Sequence, residues 1–177
     1  MIAIPPGHSM NNIESTLKPE LGQVLTPPDV ALRMVDQLLR MAPSEPVVVD
    51  PAVGPGTFPE AFARAGGNGR TSTFHLFDID RHMLEHTRQV LAENNLQGQI
   101  YETDYLLYDS RPLRPDIIVM NPPYIRQELI PAAQKLQYYD LVLERFGHAF
   151  SRQSNLYIYF LLKALSDLPP GGLLAAI

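Results

Sequence analysis

Pro46-Val47-Val48-Val49-Asp50-Pro51-Ala52-Val53-Gly54-Pro55-Gly56-Thr57-Phe58 runs from an apolar segment through an acid into a glycine loop. Three valines between breakers are too short for a helix and read as a buried strand. Gly54 and Gly56 let the chain turn tightly and approach a ligand with no Cβ in the way. Thr57-Phe58-Pro59-Glu60 fits a capping box, which predicts a helix from Thr57 to Ala65. Strand, loop and helix together open a βαβ unit, and the unpaired N–H groups at the helix start face whatever the loop holds.

The loop excludes two common ligands. A phosphate loop needs Lys followed by Ser or Thr after its second glycine, and neither is present. A dinucleotide fingerprint needs a third glycine where Pro59 stands. A ligand whose charged end is an amino acid remains, with Asp50 as partner for its ammonium, directly or through water. S-adenosylmethionine has that chemistry. Two more acids follow at βαβ spacing. Phe74-His75-Leu76-Phe77-Asp78-Ile79-Asp80 reads as a strand ending in a carboxylate placed to accept ribose hydroxyls. Asp104, in Glu102-Thr103-Asp104-Tyr105, follows a short strand around Gln99 to Tyr101 and is placed to accept an adenine amino group.

A fourth apolar run, Ile117 to Met120, stops at Asn121-Pro122-Pro123-Tyr124. The amino group of a nucleobase is a poor nucleophile because its lone pair is delocalised into the ring. Acceptors on both of its N–H bonds localise that pair. The Asn121 side-chain oxygen and the Pro122 carbonyl can be those acceptors, on a backbone stiffened by two prolines. Tyr124 offers a flat face on which an extruded base can stack. An Asn-Pro turn after a strand is the plainer reading of the same residues.

With these motifs in this order, the chain resembles the adenine-N6 DNA methyltransferases of restriction-modification and phage-defence systems, from about residue 20 to residue 177. Gly22-Gln23-Val24-Leu25-Thr26-Pro27-Pro28 looks like the cofactor motif that precedes the glycine loop in one subgroup. The resemblance implies an α/β fold, a doubly wound, mostly parallel sheet of the class I S-adenosylmethionine-dependent kind. It implies cofactor contacts at Thr26, Pro27, Asp50, Pro51, Ala52, Gly54, Gly56, Phe58, Asp78, Ile79, Asp104, Tyr105 and Asn121. It implies catalytic roles for Asn121, Pro122, Pro123 and Tyr124. The family pattern runs on past Leu173-Leu174-Ala175-Ala176-Ile177 with two more strands, a second aromatic and a target-recognition region. The expectation is therefore an N-terminal piece of a longer enzyme, cut after the fifth strand and inactive alone. Its partners would be double-stranded DNA and restriction or specificity subunits. Cytosine-N4, RNA and protein-glutamine methylation share parts of this pattern, and a cofactor-binding module of a defence complex is the non-catalytic alternative.

Composition sets wider bounds. The net charge of −5 argues against a general polyanion binder, and the charge is uneven. Nine basic and fifteen acidic residues precede Asn121, against five and four from it onward. The catalytic side is thus the one more permissive for DNA. No cysteine is present, and no apolar run or leader has the length and pattern of a membrane span or signal peptide, which fits a cytoplasmic protein. His82-Met83-Leu84-Glu85-His86 matches a zinc-protease pattern, but His82 and Glu85 fall opposite the apolar face of their helix, and no metal is expected.

Residues 1–19 read as an irregular arm. Thr26 is expected to cap a helix with Pro27 in its first position and Val30, Met34, Leu38 and Met41 as its apolar stripe. Further helices are expected at Arg81 to Asn94, at Pro131 to Phe146 with Tyr138, Tyr139 and Leu143, and at Ser154 to Leu168. Arg126, Gln127, Lys135 and Arg152 lie where DNA could meet the chain, though a solvated face explains them equally well.

Overall fold

The computed structural model describes residues 17–18, 22–66, 72–147 and 154–177. Nearly all of the expected N-terminal arm, and Arg152, lie outside these residues. Among the described residues, five strands form one sheet: β1 (Val47–Asp50), β2 (Thr73–Asp78), β3 (Gln97–Glu102), β4 (Ile117–Met120) and β5 (Leu173–Ala176). Their order is β3-β2-β1-β4-β5 and every pairing is parallel. The order reverses beside β1, which opens a crevice at the carboxyl ends of β1 and β4. β3 is longer than its sequence suggests, because Gln97 and Gly98 pair with Thr73 and Phe74 despite their weak strand propensity.

Helices cover both faces. On one lie α1 (Pro28–Met41), α2 (Thr57–Gly66) and α3 (Arg81–Glu93), and on the other α4 (Ala132–Phe146) and α5 (Leu156–Asp167). The alternation of strand side chains divides the core. Val48, Phe74, Leu76, Ile117 and Val119 face the first layer, and Val49, Phe77, Ile118 and Met120 the second. This is a doubly wound, Rossmann-like sheet of the kind found in class I methyltransferases.

Two helix caps and two helix faces differ from expectation, while α2 starts at Thr57 as expected. Pro27 is the cap residue of α1 and Pro28 its first residue, so Thr26 caps nothing. The buried stripe of α1 is Ala31, Val35, Leu38 and Leu39, while Met41 is 72% exposed. In α2 the Gly56 carbonyl takes the first helical bond, from the Glu60 N–H at 3.0 Å, so Thr57 is inside the helix and forms no capping box. In α4 the inward residues are Tyr138 and Val142, and Leu143 faces solvent. The start of α3 is capped by Asp80, whose Oδ1 accepts from the His82 N–H at 3.1 Å, which ends β2 at Asp78.

His82 and Glu85 lie on the exposed side of α3 with Nδ1 and Oε2 3.8 Å apart. Among the described residues, no cluster of three potential metal ligands occurs and no helix is long and apolar enough to cross a membrane.

Candidate functional site

The carboxyl ends of β1, β2, β3 and β4 open into a cavity of about 320 Å³, within the range of small-molecule sites. Of the residues singled out in the sequence, Thr26, Pro51, Ala52, Gly54, Phe58, Asp78, Ile79, Asp104, Tyr105, Asn121 and Pro123 line it. Pro27, Asp50, Gly56, Pro122 and Tyr124 do not form its walls. Asp50 lies beneath the loop and is 1% exposed.

The glycine loop is fixed from both sides. The Gly54 N–H donates to Asp78 Oδ2 at 2.9 Å, and the Gly54 carbonyl accepts the Thr87 hydroxyl at 2.7 Å. Gly56 has φ +97°, a backbone conformation that favours glycine, and a Cβ there would sit 3.2–3.3 Å from Val90 and Thr87, so α3 would have to give by a few tenths of an ångström to admit it. Asp78 Oδ1 accepts the Asp80 N–H at 2.8 Å. Each carboxylate oxygen has a second lone pair, so Asp78 can still accept from a ligand. Burial raises the pKa of Asp78, opposed by the Asp80 and Gly54 N–H groups.

Asp50 is more isolated. Its Oδ1 accepts the Ala52 N–H at 3.2 Å, while the buried Oδ2 has no hydrogen-bond partner among the described residues. Burial pushes its carboxyl well above the usual carboxylate range. The Ala52 N–H opposes that shift, and the charge of Asp78 adds to it. An acid so placed gains from any cation brought near it.

At the end of β4 the Asn121 amide is oriented by the segment ahead of α1. Its Nδ2 donates to the Val24 carbonyl at 2.8 Å and to Thr26 Oγ1 at 3.0 Å. A backbone carbonyl only accepts, so this contact fixes which end of the amide is nitrogen. The buried Asn121 Oδ1 is left without a hydrogen-bond partner among the described residues. Buried polar atoms are almost always paired, so an unpaired acceptor beside a cavity marks a place for a ligand N–H. Tyr124 follows, 48% exposed, with its ring stacked on Tyr157 (centroids 6.1 Å, 15°) and its hydroxyl donating to the Ile177 carbonyl at 2.5 Å.

Gly22 holds this loop to the N-terminal motif. Its carbonyl accepts the Tyr124 N–H at 3.1 Å. Its φ is +63°, and a Cβ there would lie 2.8 Å from the Tyr124 nitrogen and 2.9 Å from the Tyr124 carbonyl carbon. Gly22→Ala should therefore cost about 1–3 kcal/mol of stability and displace Tyr124. Urea denaturation reads the first effect, and unchanged stability would show that the loop yields without strain.

Sequence reasoning missed Thr87, Tyr157 and Gln134 as site residues, and named Tyr138 only as part of its helix. Gln134 and Tyr138 project from α4 into the cavity and bond Asp104 Oδ2, at 3.4 and 2.5 Å respectively. Leu129 and Ile130 before α4, and Leu156 and Phe160 of α5, complete that wall. The aromatic run around Tyr138 was the available signal, but its partner Asp104 is 34 positions away.

Comparison with known proteins agrees with this architecture. The family model described as "Eco57I restriction-modification methylase" matches residues 72–177. The Type II methyltransferase M.XhoI of Xanthomonas vasicola is 45% identical over 62 residues, which cover 35% of this chain and 10% of that protein. The type IIG restriction endonuclease BpuSI superposes with a TM-score of 0.69 at 19% identity, covering 86% of this chain and 19% of its own. A putative class I S-adenosylmethionine-dependent methyltransferase from Listeria monocytogenes gives 0.68 at 15% identity, covering 93% and 49%. The chain thus spans under half the length of each of these proteins.

Proposed function

This chain belongs to the Eco57I restriction-modification methylase family, and from that premise we propose that it carries the S-adenosylmethionine site and catalytic loop of an enzyme that methylates adenine N6 in DNA. The observation that supports this best is Asn121 Oδ1, a buried acceptor without a partner, held in place by an amide whose hydrogens are committed to Val24 and Thr26. With the Pro122 carbonyl it forms a pair of acceptors suited to the two N–H bonds of an aromatic amine.

Asp78 and Asp104 would hold the ribose and adenine of the cofactor. The glycine loop would meet its amino-acid end above the buried Asp50, whose Oδ2 has no partner among the described residues and whose charged form a nearby ammonium would favour. When bound, S-adenosylmethionine supplies an electrophilic methyl group. The chain's own part is positional. Asn121 and Pro122 localise the amine lone pair and aim it, and Tyr124, backed by Tyr157, offers its ring to an extruded base. An amide is too weak a base to take the proton, which leaves to water after transfer. The resemblance gives the lean toward adenine over cytosine. Double-stranded DNA is the proposed substrate, and restriction or specificity subunits the proposed partners.

Isothermal titration with S-adenosylhomocysteine tests the cofactor half. The wild-type chain should bind, and Asp78→Ala should weaken binding roughly 10- to 100-fold, the worth of one or two hydrogen bonds to a charged group. Equal affinity in the two proteins would remove Asp78 from the site. No binding to wild type would remove the cofactor assignment.

A further inference from the structure

Asp104 has an attachment that neither its own motif nor the catalytic loop explains. Its Oδ1 accepts the Leu106 N–H at 2.9 Å and caps a short 3-10 turn. Its Oδ2 accepts the Tyr138 hydroxyl at 2.5 Å and the Gln134 amide at 3.4 Å. Tyr138 is 2% exposed, and Gln134 stands one turn before it on α4. Burial raises the Tyr138 pKa far above that of an ordinary phenol, and Asp104 raises it further, so the hydroxyl stays a donor and the carboxylate its acceptor. The carboxylate is therefore pinned at both oxygens and cannot rotate about its χ2. The groups that pin Oδ2 come from α4, the helix between the catalytic loop and α5.

We propose that Tyr138 and Gln134 are the selectivity-determining residues of the nucleobase end of the cavity, enforcing a 6-amino purine over a 6-oxo purine. This rests on the cofactor reading above, in which Asp104 accepts the adenine amino group. A 6-oxo base presents an acceptor where adenine presents a donor, and its own N–H lies one ring position away. A free carboxylate can swing to meet that N–H and tolerate either base. A carboxylate held by Tyr138 cannot, and it leaves two acceptors facing each other when the wrong base enters. Gln134 also presses its amide on Oδ2, so loss of either residue loosens the same acceptor. Tyr138 thus acts through Asp104 as a positioning residue.

The test compares S-adenosylhomocysteine with S-inosylhomocysteine by titration calorimetry on the wild-type chain, Tyr138→Phe and Gln134→Leu. Wild type should prefer the adenosyl ligand at least about tenfold. Tyr138→Phe should cut that preference by about tenfold, mostly by strengthening the inosyl ligand as the freed carboxylate turns to its N–H, and Gln134→Leu by a smaller factor in the same direction. A purely structural role would weaken both ligands alike and leave the ratio unchanged. If wild type binds S-adenosylhomocysteine and the ratio is the same in both variants, the inference is overturned and the cofactor reading stands. If wild type binds neither ligand, the cofactor reading fails and takes the inference with it. Should circular dichroism show Tyr138→Phe unfolded, Gln134→Leu decides alone, because Gln134 is only half-buried and does not carry the core.

Discussion

Asn121→Ala, in the protein that carries this chain, should lower methyl transfer at least about 100- to 1000-fold, the loss typical of removing one preorganised group that acts in the transition state. Affinity for S-adenosylhomocysteine should change little, because the Asn121 oxygen is proposed to act on the incoming amine. The residue also ties β4 to Val24 and Thr26, so thermal denaturation of the variant belongs beside the kinetics. A variant that keeps its fold, binds the product and still turns over within tenfold of wild type would contradict the role given to the amide. Asn121→Asp is informative as well. It keeps the oxygen but places a carboxylate against the Val24 carbonyl, which should both misorient the group and destabilise the loop.

Asp167→Ala should cost about 3–5 kcal/mol of folding stability, the usual result of stranding a buried charge. Lys163 and Asp167, one turn apart on α5, have side chains with no exposed area and are paired through Nζ and Oδ2. The same Asp167 oxygen accepts the hydroxyls of Ser110 and, at 3.0 Å, Tyr105. The Lys163 ammonium sits 4.2 Å from the Tyr105 ring centroid, and Arg145 reaches Asp167 Oδ1 at 3.4 Å. Burial lowers the Lys163 pKa, with Asp167 opposing most and Asp109 less, so the ammonium depends chiefly on the Asp167 carboxylate. Without it, Lys163 is charged among aromatic rings or must give up its proton. The double variant Lys163→Met, Asp167→Leu should recover most of the loss by removing both charges together. Equilibrium urea unfolding of the three proteins decides it. A loss under about 1 kcal/mol in Asp167→Ala would show that water reaches the network. Tyr105 also lines the cavity, so this network joins the stability of the second helical layer to the shape of the site.

The strands and most helices were legible in the sequence because their apolar residues are local and dense: Val47 to Asp50, Ile117 to Met120, and the run in α5. Each strand-end residue singled out is where the sheet ends, and Asp78, Asp104 and Asn121 meet on one cavity because parallel strands in register end on one edge. Asp50 is at its strand end too, but it is buried and off the cavity wall, which Pro51 and Ala52 line. The errors share a cause. Thr26 has the composition of a cap, yet its hydroxyl serves Asn121, 95 residues away. The stripe read at Val30, Met34, Leu38 and Met41 is buried instead at Ala31, Val35, Leu38 and Leu39, because close packing of α1 on the core admits the small Ala31 and turns the helix face by one position. Tyr138, Thr87 and Tyr157 act through partners more than 30 positions distant, which no local period encodes.

The measurement that meets the central claim most directly is product analysis. Double-stranded DNA of mixed sequence is incubated with methyl-labelled S-adenosylmethionine and the protein carrying this chain, then digested to nucleosides. The label should appear in N6-methyladenine and vanish with Asn121→Ala. Label in N4-methylcytosine, no label in the DNA, or its persistence with Asn121→Ala, would contradict the account.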